Sequence, residues 1–412
     1  MTAVDLVLRA TRAVVDGAER ACSIGVRDGR VTGVEAYGVA WDAAREDVLG
    51  EDEVLLPGLV DVHARVSGPG RSDLVAVTRA AAAGGTTTLL DTAAGGFPPV
   101  LDPVALAVRR AAALDRVAVD VGSWGAVAPG GAGSLLPLHE AGVFGAECAL
   151  RLPDADAWPA PAPVTGGPAP LDAGELAAVA GQLARVDGLL LVHLPGAAAA
   201  DRPDAPAGSD GSDGEAALVR AVADAAALTG VRAHVAPVTS AAGVAEVARA
   251  RTAGVRLTAG TRPGDLALDA PHRRADREAL WAGLLAGTVD AVSSGPAPGA
   301  PGAVRAEALR SRLPLVWTLA RARGVPLAAV AGWTATRPAA LAGLEDRGRL
   351  AEGALADAVV LAPDEETGPP AGPSAPRDAA LTGAVRRTLL RGRVVAERPR
   401  GRLLRAPARV TG

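Results

Sequence analysis

The sequence predicts an α/β chain: a distorted (β/α)8 barrel with a small β-sandwich formed from both termini. Two observations predict it. Candidate strands recur eight times across residues 57–345, and Ala/Leu/Arg-rich helical stretches lie between most of them. The two ends, 1–56 and 346–412, lack that alternation and read as short strands bounded by turns. The expected division is therefore 1–56 and 346–412 for the sandwich and 57–345 for the barrel. A doubly wound parallel sheet is the runner-up architecture.

The elements follow in order. LVLRATRAVV and VDGAERACSIGVRDGRVTGVEA carry Asp-Gly turn signals between apolar runs, as β-hairpins do. The barrel strands are LLPGLVDVH (55–63), TTTLLDTA (86–93), VAVDVGSWGA (117–126) and VFGAECAL (143–150), then GLLLVHL (188–194), VRAHVAPV (231–238), VRLTAGT (255–261) and DAVSSG (290–295). LDPVALAVRRAAAL and AAGVAEVARARTAG are typical of the helices between them. Stretches 152–171 and 195–215, rich in Pro, Gly, Asp and Ala, follow the fourth and fifth strands and belong on the catalytic face as loops. DRGRLAEGALADAVVLAP and LTGAVRRTLLRGRVVA return to strand character.

Composition narrows the function. Apolar residues make up 49% and aromatics 2%, so Ala, Val, Leu and Gly fill the core. Net charge is −4 with scattered basic residues, which speaks against a nucleic-acid or membrane surface. The chain has no Lys and no Asn, consistent with a G+C-rich coding bias. Without lysine there is no Schiff base, carbamylated lysine or Walker lysine. Cys22 and Cys148 read as two buried free thiols in a reducing cytoplasm. The N-terminal stretch carries Asp5 and Arg9 and reads as a strand, not a signal peptide.

In a barrel of this kind chemistry sits at the C-terminal ends of the strands. His63 ends the first strand, Glu147 lies near the end of the fourth, and His193 ends the fifth. A histidine at a strand end is more often a satisfied polar residue than a ligand.

LLPGLVDVHARVSGPGR followed by AAAAGGTTTLLDTAAGGFPP resembles the opening of the cyclic-amide hydrolases, the allantoinase, dihydroorotase and hydantoinase branch of the amidohydrolase superfamily. VDVGSWGAVAPG, LHEAGVFGAECAL, DGLLLVH, ALWAGLLAGTVDAV, GWTATRPAALAGL and GRLAEGALADAVVLAPDEE resemble later family segments in the same order, and the resemblance leans towards allantoinase. It implies a barrel whose mouth holds two divalent metals, bridged by a carbamylated lysine and ligated by four histidines and an aspartate that also serves as base. Carried over by position, His63 matches the first histidine and Arg65 stands at the second. Glu147 stands at the lysine, His193 matches the fifth-strand histidine, Pro237 stands at the sixth-strand histidine, and Gly295 and Pro296 stand at the Asp-His pair. His234 falls within its strand and is not counted as a ligand. Gly95 and Ser67-Gly68 depart from the family at substrate-side positions, while Arg71 remains as a candidate ligand contact or a plain surface arginine.

Two of six ligand positions keep their residue. The main expectation is therefore a homologue that has lost metal-dependent hydrolysis, needs no cofactor, and serves as a cytoplasmic binding or assembly subunit. Its partner would be a pathway enzyme or active paralogue, and the chain itself a homo-oligomer. The alternative is an active cyclic-amide hydrolase with one zinc ion on His63, Glu147 and His193. Against it, Arg65 stands one pleat from His63, and a unit charge ~5 Å from a dication costs roughly 7 kcal/mol at an effective dielectric of 20. Arg65 and Glu147 are expected to pair with each other, and Asp91 and Glu147 are the nearest candidates for a base. A third reading is a metal-free lyase or isomerase with His63 or His193 as acid or base.

Overall fold

The computed structural model describes residues 3–66, 71–93, 98–150, 169–195, 212–267, 270–295, 302–369, 380–395 and 400–407. Ser67, Gly68, Gly95, Pro296 and most of the two Pro/Gly-rich stretches lie outside them.

The N-terminal strands are β1 (Leu6–Val15), β2 (Ala18–Arg27), β3 (Arg30–Glu35), β4 (Glu46–Val48) and β5 (Val54–Pro57). Asp16-Gly17 joins β1 to β2 and Asp28-Gly29 joins β2 to β3. All four residues have positive φ, which two-residue hairpin turns demand and Asp-Gly supplies at least cost. The barrel region runs through β6 (Leu59–Ala64), α1 (Arg71–Ala83), β7 (Thr86–Asp91), α2 (Pro103–Ala113), β8 (Asp120–Ser123), β9 (Gly125–Ala126), α3 (Leu135–Glu140), β10 (Ala146–Ala149) and α4 (Ala173–Ala184). It continues through β11 (Leu189–His193), α5 (Ser212–Thr229), β12 (Arg232–Ala236), α6 (Ala241–Thr252), β13 (Leu257–Thr261), α7 (Pro263–Ala267), α8 (Arg274–Ala286), β14 (Ala291–Val292) and α9 (Gly302–Arg321). The chain closes with β15 (Ala358–Thr367), β16 (Leu381–Leu390) and β17 (Arg393–Val394).

All eight expected barrel strands appear, but as two parallel arcs. One has the order β6-β7-β8, the other β14-β13-β12-β11-β10-β9. The arcs meet at a bridge between Ala64 and Gly295, and on the other side the chain passes from β8 to β9 through Trp124 alone. The first expected strand is divided at Gly58, where a Cβ would stand 2.5 Å from Thr87 Oγ1. There the chain leaves the terminal sheet and enters the barrel. Both termini do contribute to that sheet: its order is β17-β16-β15-β5-β1-β2-β3, with β4 on β1. β15 runs antiparallel to β5 with Val359 opposite Leu56, so the C-terminal strands zip onto the N-terminal ones.

Valine, leucine and alanine fill the cores, as the composition requires. One cluster packs α4, α5, α6 and α8 on the outside of β10–β14, and another lines the interior with Val60, Val62, Leu90, Trp124, Leu189 and Leu191. Cys22 and Cys148 are buried free thiols. Among the described residues no helix is long and apolar enough to cross a membrane.

A buried charge cluster ties the sheet to the end of the barrel opposite the mouth. Arg347 Nη1 donates to Asp120 Oδ2 at 2.7 Å and to Asp357 Oδ2 at 3.4 Å, while Arg391 Nη1 grips both oxygens of Asp120. Burial outweighs the nearby guanidiniums at Asp357 and pushes its carboxyl up to about 6. Close by, Leu403 lies along β8 beside Val121 as an added parallel bridge.

Candidate active site

The site is built from the C-terminal ends of the parallel strands. Along β6 the pairing with β7 runs Asp61 to Leu89 and then Ala64 to Asp91, so the register slips by one residue between them. That bulge matters for direction. Ala64 packs outward with Leu89 and Val66, whereas His63 meets His193 ring edge to face, with centroids 5.3 Å apart. Asp61, below the bulge, is buried against Arg312 of α9 at 3.3 Å and accepts hydrogen bonds from the His63 and Ser294 backbone N–H groups. The first strand is thus fixed to the eighth beneath the histidine.

On the neighbouring strands the register sets levels. Glu147, Leu191 and His234 share one level, and Ala149, His193 and Ala236 share the next one towards the mouth. His63, Glu147 and His234 are buried at 1%, 4% and 0% exposure. His63 Nε2, His193 Nδ1 and His234 Nε2 are buried without a hydrogen-bond partner.

Burial, followed by the charges of its neighbours His193, His234 and Arg262, holds His63 well below the usual histidine range. Burial, then Arg262 and Arg65, lowers His193 to about 4, and burial lowers His234 to about 3. All three imidazoles are neutral at physiological pH.

Positive charge surrounds them. Arg65 is 6% exposed; burial and Arg305 depress its pKa while the charges of Asp91 and Glu147 pull it up. Glu147 Oε2 also accepts from Ala93 N at 2.7 Å. Arg262 directly follows β13 and grips Asp265 through two bonds of 2.8 and 2.9 Å. Gly295 makes room for it: a Cβ there would stand 2.6 Å from Arg262 Cδ. Asp91, weighed above as a base, is instead structural. It accepts from Val66 N at 2.8 Å and pairs with Arg109 of α2. Pro237 follows β12 through a cis peptide bond, and Arg71 opens α1.

Sequence reasoning found His63, His193 and Glu147 but missed Arg262 and the inward aim of His234. The signal for Arg262 was its position one residue beyond a barrel strand. The signal for His234 was the register of β11 and β12, which a single sequence does not carry.

The amidohydrolase family model matches residues 54–395, most of the chain. This chain belongs to the amidohydrolase family. It is 35% identical to an allantoinase of Streptomyces avermitilis, over 98% of this chain and 99% of that protein. It is 28% identical to a mitochondrial allantoinase of Aquarana catesbeiana, over 82% of this chain and 76% of that one. In shape it matches an L-hydantoinase from Arthrobacter aurescens with a TM-score of 0.80 and 22% identity, covering 97% of both chains.

These findings correct two expectations. The non-catalytic binding or assembly subunit is overturned by end-to-end similarity to allantoinases, and the argument for a pathway enzyme or active paralogue as partner goes with it. The expectation of no cofactor is overturned too, because the chain belongs to the family for which a divalent metal centre is implied. Both expectations rested on counting ligand residue types at matched positions. That count gave no weight to similarity spread along the whole chain, or to neutral imidazoles held without partners at the mouth.

The donor set can be tested against such a group. Two imidazoles sharing one tetrahedral zinc at ~2.0–2.1 Å stand with centroids roughly 5 Å apart, and His63 and His193 are at 5.3 Å. Each has one buried ring nitrogen without a hydrogen-bond partner. Among the described residues no group of three His, Cys, Asp or Glu is placed to hold an ion. The residues present therefore fit one ion on two nitrogens, and do not fit the two-ion centre that the resemblance implies.

Proposed function

We propose that this amidohydrolase is an active cyclic-amide hydrolase of the allantoinase type, working with a single zinc ion held by His63 and His193. The observation that carries the reading is the pair of buried, neutral imidazoles with unpartnered nitrogens at the barrel mouth, in a chain 35% identical to an allantoinase over nearly its full length. A divalent ion bound there supplies Lewis acidity, polarising the amide carbonyl and lowering the pKa of water.

The rest falls to the chain's own residues. Ring opening adds water across the C–N bond: the C–N bond breaks, the carbonyl carbon gains water's oxygen and becomes a carboxylate, the ring nitrogen takes one of water's protons, and the other is released to solvent. Negative charge appears where none stood before. Arg65 and Arg262 put fixed positive charge beside His63 and His193, which stabilises that developing carboxylate. Asp265 fixes the Arg262 fork in place, so its charge is already oriented. Asp61, through its bond to the His63 backbone, fixes the imidazole's strand. The buried free thiols suit a reducing cytoplasm, and a homo-oligomer is the proposed assembly.

The test is direct. Purified protein is loaded with zinc, manganese or cobalt and offered allantoin, hydantoin and dihydrouracil. We expect metal-dependent opening of allantoin, about one ion per chain, and loss of both the ion and at least ~100-fold of the rate in His63→Ala/His193→Ala. No ring opening by metal-loaded protein on any of the three substrates would overturn the proposal.

A further inference from the structure

His234 is a histidine that the proposed ion does not use. It sits in the middle of β12, 0% exposed, on the same face as Glu147 and Leu191. Its hydrogen bonds fix its tautomer. Thr258 Oγ1 donates its one proton to Ala233 O at 3.0 Å. The same hydroxyl stands 2.9 Å from His234 Nδ1, and having given its proton away it must accept there. Nδ1 therefore carries the hydrogen and Nε2 carries a bare lone pair. That Nε2 is buried with no partner.

The residues around it are small. One level up stand Ala149 of β10, His193 of β11 and Ala236 of β12 itself. On the other side is Gly260, where a Cβ would stand 3.0 Å from His234 Nε2 and 3.5 Å from Ala236 Cβ. Small residues therefore flank His193 at the level above His234, and at Gly260 no Cβ stands against the lone pair. A buried acceptor that water or a neighbour does not satisfy is costly, and the cost is offset when a ligand brings a donor. A cyclic amide whose carbonyl is held at the mouth carries such a donor in its ring.

We infer that His234 Nε2 accepts a hydrogen bond from a ring N–H of the bound cyclic amide, and so selects rings with a free N–H over N-alkylated ones. This inference rests on the hydrolase reading above. His234 is a specificity-determining residue; Thr258 positions it by fixing its tautomer.

The experiment uses hydantoin, 1-methylhydantoin and 3-methylhydantoin with metal-loaded full-length protein. Wild type is expected to prefer hydantoin over one of the methylated rings by roughly 30-fold or more in kcat/KM. In His234→Phe the preference falls towards unity through a raised KM for hydantoin, with kcat little changed. His234→Gln, which keeps an acceptor, recovers part of it. Thr258→Val leaves the imidazole in place, frees its tautomer and lowers the preference as well. A nitrogen-15 spectrum of the imidazoles is expected to show His234 protonated on Nδ1, with its Nε2 resonance moving when hydantoin is added. An unchanged preference in both His234→Phe and Thr258→Val would overturn the inference, as would protonation on Nε2 or an Nε2 resonance unmoved by bound hydantoin. If wild type opens no ring, the hydrolase reading fails, while the nitrogen-15 titration still decides whether Nε2 takes a bond from a bound ring.

Discussion

Arg312 offers the sharpest test of how the mouth is held. Its guanidinium, in the middle of α9, has no exposed surface, and neither has its partner Asp61 of β6. Nη1 donates to Val60 O and Val292 O at 3.2 Å, and Nη2 donates to Thr86 Oγ1 at 3.2 Å. One side chain therefore bonds β6, β7 and β14, across the line where the two arcs meet. Burial lowers the Arg312 pKa and Asp61 pulls it back up, the signature of a buried pair that survives because each charge answers the other. In Arg312→Met the apolar stem is kept, but Asp61 is left as a buried carboxylate with two backbone donors and no countercharge. Breaking such a pair costs about 3–5 kcal/mol. Arg312→Met/Asp61→Asn removes both charges, and the loss should shrink to about 1–2 kcal/mol. Urea unfolding at pH 7, followed by tryptophan fluorescence, measures both. A single variant within ~1 kcal/mol of wild type, or a double variant no more stable than the single, would refute the reasoning.

Two further outcomes follow from the same interior. His193 and His234 are held near 4 and 3, below the unfolded value, so on acidification the unfolded chain takes up protons first. Stability should be full above about pH 6.5 and fall as the pH drops towards those values; His234 alone accounts for about 2 kcal/mol at pH 5. His234→Phe should lose correspondingly less between pH 7 and 5 in the same urea assay, and an identical loss would contradict the burial argument. Gly145 precedes β10, and a Cβ there would stand 2.1 Å from the Leu189 carbonyl oxygen. Gly145→Ala should destabilise by at least ~3 kcal/mol and displace Glu147, and a soluble variant with wild-type unfolding would rule this out.

Much of the architecture was legible in the sequence. Apolar runs bounded by Gly and Asp marked every barrel strand, and Asp-Gly pairs marked the hairpins, because those signals are local. His63 and His193 could be placed at strand ends for the same reason. What was not legible depends on pairing. The bulge that aims His63 inward is a relation between β6 and β7. The inward aim of His234 is a relation among β11, β12 and β13. Asp91 could be read as a base or as a strand-end cap, and its partner Arg109, on α2, lies eighteen residues along the chain. The barrel also proved to be two arcs joined at one bridge, since DAVSSG forms only a two-residue strand at β14. Function was misread for a related cause. Residue types at matched positions were counted one by one, and that count was set above a resemblance already spread along the whole chain.

The charge cluster at the far end of the barrel has a consequence for how the molecule comes apart. Asp120 belongs to the first arc, Arg347 and Asp357 lie in the segment that leads into β15, and Arg391 sits at the turn after β16. Pulling the terminal sheet away would expose carboxylates and guanidiniums that are satisfied only across that junction, and would unzip β15 from β5 as well. The two regions therefore share one opening event. Amide hydrogens of β5, β8 and β15 should exchange as a single cooperative unit with a common free energy, rather than as a labile sheet hung on a rigid barrel.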